Sequence, residues 1–164
     1  MPCGFRVEID LAHYQAIGQR ELDTANMEKA VQILRDSLAI FEREKDIENT
    51  ASAHHNLGNV LLTIGERKSD VETLEQAAVE MRNALAMRDR RKTPLDWAST
   101  QNNLGLVLQL IAERKGGGKL YDDSEAAYRA ALQEYTERRT PAEWAMVLNN
   151  LGNTLNAQGN ERGD

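Results

Sequence analysis

The chain has 164 residues, and its 26 acidic and 20 basic side chains are mixed along it to a net charge of −6; that balance gives no electrostatic reason to expect nucleic acid, which favours a basic face. Apolar residues make up 41%, yet there are only two Phe, four Tyr and two Trp, so a core has to be assembled from Ala, Leu, Ile, Val and Met, most of them strong helix formers. No apolar run approaches the roughly 20 residues that span a bilayer, no signal-peptide pattern opens the chain, and the single Cys3 excludes an internal disulfide, so the expectation is a cytoplasmic protein with no membrane contact.

The chain repeats itself. Asn-Leu-Gly begins at Asn56, Asn103 and Asn150, each 47 residues from the last. The same offset pairs Trp97 with Trp144, Thr93-Pro94 with Thr140-Pro141, Ile17-Gly18 with Ile64-Gly65, and Leu38 with Leu85 and Leu132. A fixed offset held without a gap marks a repeat array. The units run 1–46, 47–93, 94–140 and a partial 141–164, forming one domain.

Each unit reads as two helices, A then B. In chain order the expected spans are A1 at about 6–18, B1 24–44, A2 50–66, B2 71–90, A3 94–114, B3 122–138 and A4 141–158, seven helices in three and a half repeats. Thr93 and Thr140 are expected to cap the next helix, with Pro94 and Pro141 at the first helical position, where the missing donor costs nothing. Asp46 holds the same place earlier, and Asp23, Asp70 and Asp122 are the expected caps of the B helices. On helix A3 an apolar stripe joins Trp97, Leu104, Leu108 and Ile111; on B2 it joins Leu74, Ala77, Ala78, Met81 and Leu85. Trp97 and Trp144 are expected to wedge between helix A and the preceding B helix, so that Trp97→Ala would cost roughly 3–5 kcal/mol. Hairpins with such faces bury them only by stacking, which makes an all-α solenoid of antiparallel helix pairs.

Asn-Leu-Gly followed three residues later by a large apolar residue (Leu61, Leu108, Leu155, with Tyr14 at the same place in the first unit), with Ala-rich B segments such as Ala126 to Leu132, resembles the tetratricopeptide repeat. The long period, with Trp-Ala ahead of Asn-Asn-Leu-Gly, is similar to the arrays of large bacterial multi-repeat proteins. The resemblance implies a right-handed superhelix whose concave face, lined by A helices, binds peptide segments. The usual unit is shorter, and its Trp lies three residues before the Leu, where this chain has His54, Gln101 and Leu148.

A polar stripe on the A helices is the candidate binding surface. Ser52, Asn56, Asn59 and Thr63 form it in the second unit, Ser99 and Asn103 in the third, Asn150 and Asn153 in the fourth. An amide both donates and accepts, so Asn56, Asn103 and Asn150 stacked as a ladder could read an extended peptide backbone; alternatively they bridge adjacent repeats. In the first unit the ladder position is Ile9. Adjacent His54 and His55 point about 100° apart on a helix and give no metal site. Lys115-Gly116-Gly117-Gly118-Lys119 lacks the spacing of a phosphate loop and reads as a flexible A3–B3 connection. Basic residues near the B-helix ends, among them Arg43, Arg88, Arg90, Arg91 and Arg138, suit the helix dipole.

No nucleophile–base pair, cofactor motif or metal-ligand spacing is found, so the expectation is a non-enzymatic scaffold binding a protein or peptide, with no cofactor. The alternative is a structural or self-assembly segment of a larger multi-repeat protein. Helix A4 carries Trp144, Val147, Leu148, Leu151 and Leu155, and its apolar outer side leads us to expect end-to-end homodimers through it, or a frayed A4.

Overall fold

The computed structural model describes residues 24–163, and the expected A1 helix lies outside them. Among the described residues there are six helices and no strands: α1 (Thr24–Glu44), α2 (Ile47–Lys68), α3 (Val71–Met87), α4 (Pro94–Lys115), α5 (Lys119–Ala131) and α6 (Pro141–Arg162). Each packs on the next in chain order, and α2 also touches α4, as α4 touches α6.

Residue pairs fix the directions. Gly58 faces Met81 while Gly65 faces Leu74, so α2 and α3 run antiparallel. Asn59 bonds Asn103 and His55 bonds Thr100, so α2 and α4 run parallel, side by side. The core follows the same arithmetic. In α1, α3 and α5 a large-small-large-small pattern recurs at i, i+3, i+7 and i+10: Met27, Ala30, Leu34, Ser37; then Leu74, Ala77, Met81, Ala84; then Tyr121, Ser124, Tyr128, Ala131. All twelve are buried. Large side chains fill the space between helices while small ones let backbones approach, and this alternation builds a dense interior.

The large residues seat on glycines of the preceding helix. A Cβ built on Gly58 would lie 2.9 Å from the end of Met81, and one built on Gly105 would lie 2.8 Å from the Tyr128 ring; at Gly152 of α6 nothing lies within 4 Å. The same substitution should therefore have opposite signs at equivalent positions. Gly105→Ala pushes on a rigid buried ring and lowers stability by about 1 kcal/mol or more, overpacking outweighing the helix-propensity gain. Gly152→Ala meets no neighbour and raises stability by about 0.5–1 kcal/mol. Urea unfolding of the two variants measures both, and equal effects would show that the seats are not formed.

Several local expectations are revised. Helix α5 starts at Lys119, earlier than expected, and Asp122 lies inside its first turn, where it accepts from Gln158 at 2.6 Å instead of capping the helix. The N-cap residue is Gly118, and the donors there are held by another helix: Gly117 and Gly118 donate their N–H groups to the Glu161 carboxylate of α6, at 2.7 and 3.1 Å. The triple-glycine connection is thus tied down. Gly117 is required there, because a Cβ would lie 2.0 Å from the Tyr121 ring.

Helix α5 also ends at Ala131, short of the expected 138. The chain leaves the helix so that Tyr135 can tuck in, buried, with its hydroxyl donating to the Leu95 carbonyl at 3.3 Å.

Asp46 and Asp70 cap α2 and α3 as expected, accepting from the Asn49 and Glu72 backbone N–H groups. Pro94 and Pro141 open α4 and α6, but neither Thr93 nor Thr140 caps with its side chain. Their hydroxyls turn back to the Asp89 and Thr136 carbonyls and close the preceding turn instead.

Trp97 is not a core wedge: it is half-buried beneath the Arg90 guanidinium, 4.7 Å from the ring centroid. Trp144, also half-buried, does pack against the second apolar cluster, which holds Tyr128 and Ala131 of the preceding helix α5. From the first turn of its helix, Trp97 meets the turn before α4, where Arg90 stands. The large loss expected from truncating it passes to Tyr128.

Candidate functional site

The helices α2, α4 and α6 bring three of the eight predicted polar-stripe residues together, Asn59, Asn103 and Asn150, in a form the spacing did not show. Asn103 donates to the Asn59 carbonyl oxygen at 2.7 Å, Asn102 donates to Asn103 at 3.0 Å, and Asn150 of α6 donates to Asn102 at 3.2 Å. The bonds thus run from Asn150 through Asn102 and Asn103 to Asn59. The expected direct stacking of Asn56, Asn103 and Asn150 is not the arrangement found. Asn56 makes no side-chain hydrogen bond among the described residues, and Asn153 is exposed.

The line continues past the asparagines. Asn59 Nδ2 lies 3.0 Å from His55 Nε2, and His55 Nδ1 lies 3.0 Å from the Thr100 hydroxyl. Asn59 has its oxygen engaged by Asn103, so its amide nitrogen faces His55 and Nε2 must accept. The proton therefore sits on Nδ1 and is donated to Thr100. Thr100 passes its own hydrogen to the Asp96 carbonyl at 2.8 Å and also accepts from Arg88. Every donor in the series points the same way, from α6 to α4 to α2 and back to α4. Bonds in such a chain polarise one another.

Burial holds the His55 imidazole down at about 4, with the Arg88 charge adding to the effect and Asp96 opposing it. A proton on Nε2 would face the Asn59 NH2 group, so the geometry acts in the same direction. Beside it, His54 is paired with Glu80 of α3 at 2.6 Å.

Two residues central to this line are not assigned to it by sequence: His55, weighed there only as a metal ligand, and Asn102. The signal was present: His55, Asn102 and Asn149 occupy one repeat position, immediately before Asn56, Asn103 and Asn150. A polar doublet recurring on a helix has one member turned toward each flank, and a neighbouring helix can engage both.

A second tie joins α4, α5 and α6. Thr154 donates to Gln109 at 2.8 Å, and buried Ser124 donates to the Gly105 carbonyl at 2.7 Å.

Ser52 lies apart from the line, in a cleft of about 400 Å³ between the starts of α2 and α4 and the end of α3. Ile47 and Met87 border it, 65% and 39% exposed. Arg88 and Asp96 form its polar end, with Asp89 nearby. Burial lowers the Arg88 pKa, opposed by the charges of Asp96 and Tyr135. Arg88 is anchored to the Asp96 carbonyl and to Thr100, so it is held rigid at the cleft wall. Ser99, the equivalent of Ser52 one repeat on, hydrogen-bonds the Tyr135 hydroxyl.

Among the described residues no three metal-ligating side chains converge, and no helix is long and apolar enough to cross a membrane. No protein-family model and no curated relative matches this sequence.

Proposed function

We propose that the chain is a protein-interaction scaffold, not an enzyme: a right-handed array of tetratricopeptide type that binds a peptide on the side lined by α2, α4 and α6. The observation that carries this reading is the cleft beside Ser52. Apolar Ile47 and Met87 are exposed at its border, next to a rigidly held guanidinium and to the acidic Asp89 and Asp96. Apolar lining with a few fixed polar groups is the usual chemistry of a recognition pocket. The proposed ligand is a short segment with one apolar side chain between groups of opposite charge. The single Cys3 favours a reducing, cytoplasmic setting.

The test is to pan a random peptide display library against the immobilised full chain. Enriched peptides should bind the wild type and lose binding to the Ser52→Trp, Met87→Asp double variant, whose melting temperature should stay close to that of the parent. Failure to enrich any peptide, or equal binding to the variant, overturns the reading.

The polar line itself favours a second reading, that of a structural segment of a larger multi-repeat protein. The amides of Asn59, Asn102, Asn103 and Asn150 are engaged with one another, as ties between repeats would be.

A further inference from the structure

The position of the Ser52 cleft recurs one repeat further on, and there it is filled. Tyr135 occupies the repeat position of Arg88, and both residues leave their helices in the same way. The Arg88 N–H donates to the Ala84 carbonyl and the Tyr135 N–H to the equivalent Ala131 carbonyl, each at 3.0 Å. From there the side chains part. Tyr135 turns back onto α4, where its buried ring joins the apolar cluster of Ala98 and its hydroxyl bonds the Leu95 carbonyl and Ser99. Arg88 reaches forward instead, to the Asp96 carbonyl and the Thr100 hydroxyl of α4. The counterparts of Leu95, Ala98 and Ser99 on α2 are Glu48, Ala51 and Ser52, and all three line the cleft. The Ser52 hydroxyl makes no side-chain hydrogen bond among the described residues.

We propose that the Ser52 cleft takes a phenol, the side chain of a tyrosine in the bound segment. Its ring lies against Ala51, and its hydroxyl meets Ser52 and the Glu48 carbonyl, as Tyr135 meets Ala98, Ser99 and the Leu95 carbonyl. This rests on the reading of the cleft as a recognition site and narrows it, because it names the apolar side chain. A phenol has apolar faces and one polar tip, and Ile47 and Met87 stand exposed at the border to cover the faces. The Glu48 carbonyl, like that of Leu95, has a second lone pair beyond its helical bond. A volume of about 400 Å³ lies in the range of small-ligand sites, enough for one ring. By the repeat rule the residue that would fill this seat is Arg88, and Arg88 is engaged elsewhere, which leaves the seat to a ligand.

The probe is N-acetyl-tyrosinamide, titrated into isotope-labelled full chain and followed by amide NMR. The backbone amides of Ala51 and Ser52 should shift saturably while that of Gly152 stays still. N-acetyl-phenylalaninamide should bind about fivefold more weakly, the share of the missing hydroxyl, and N-acetyl-leucinamide more weakly still. Ser52→Ala, at a partly exposed position, should bring the tyrosine and phenylalanine probes to within about twofold of each other, since one of the two bonds is gone. Arg88→Tyr supplies the ring from within the chain, and should shift the Ser52 amide and abolish probe binding; Ser52→Trp provides a second block if the first disturbs the fold. The proposal is overturned if the tyrosine probe moves no cleft amide, or if the phenylalanine or leucine probe binds equally well. Library peptides that bind at the cleft without a tyrosine overturn the phenol alone, and the reading of the cleft as a recognition site then stands.

Discussion

Tyr128→Ala should destabilise the chain by about 3–5 kcal/mol, the range for removing a fully buried aromatic ring. The ring is completely buried, seated against the glycine gap at Gly105. Because α4 has no Cβ at that point, the cavity left behind has no side chain to relax into it. Burial and the nearby Glu113 carboxylate push the Tyr128 phenol well above its ordinary range, so it stays neutral at all working pH values. Its hydroxyl reaches Gln109 only at 3.5 Å, which makes the ring, not the hydroxyl, the source of the effect. Tyr128→Phe should accordingly cost about 1 kcal/mol at most, because a bond of that length contributes little. A domain of this size has about 5–15 kcal/mol in total, so the alanine variant should be largely unfolded in moderate urea. A loss below about 1 kcal/mol for Tyr128→Ala would mean that the α4–α5 seat is not as described.

The second large effect is on pH. His55 has its folded pKa depressed from 6.5 to about 4, so between those values the unfolded chain binds a proton that the folded chain does not. Stability from this group is complete above about pH 6.5. It falls as pH drops through that value and levels off below about 4, a total loss of roughly 3 kcal/mol. Urea midpoints at pH 7 and pH 4.5 measure it. His55→Gln should flatten the dependence in that window while lowering stability at pH 7, since the Thr100 bond is lost. A wild-type curve no steeper than that of the variant would contradict the assignment.

Fold and site were legible to different depths. The 47-residue offset gives the order of the described helices, and the apolar stripe of α1 places that helix at 24–44, because periodicity reports packing directly. The end of α5 was misplaced because periodicity continues past Ala131, whereas the burial of Tyr135 requires the chain to turn. The threonines before Pro94 and Pro141 look like caps by type, but a hydroxyl can bond either the helix ahead or the turn behind, and spacing does not distinguish them. The glycine connection looked free because its partner, Glu161, lies 44 residues away. The same limit applies to the site. Spacing placed Asn59, Asn103 and Asn150 on one face, but the stagger between parallel helices decides whether Asn103 meets Asn56 or Asn59.

The polar face is a one-way line of hydrogen bonds joining α2, α4 and α6, in which Asn59, Asn102, Asn103 and Asn150 are engaged with one another. The imidazole of His55 reports on it most directly. Nitrogen-15 shifts of the ring, followed as pH is lowered, should show a proton on Nδ1 and none on Nε2, with a midpoint near 4. A midpoint near 6.5, or a proton on Nε2 at neutral pH, would contradict the line and leave Asn59 free to meet a ligand.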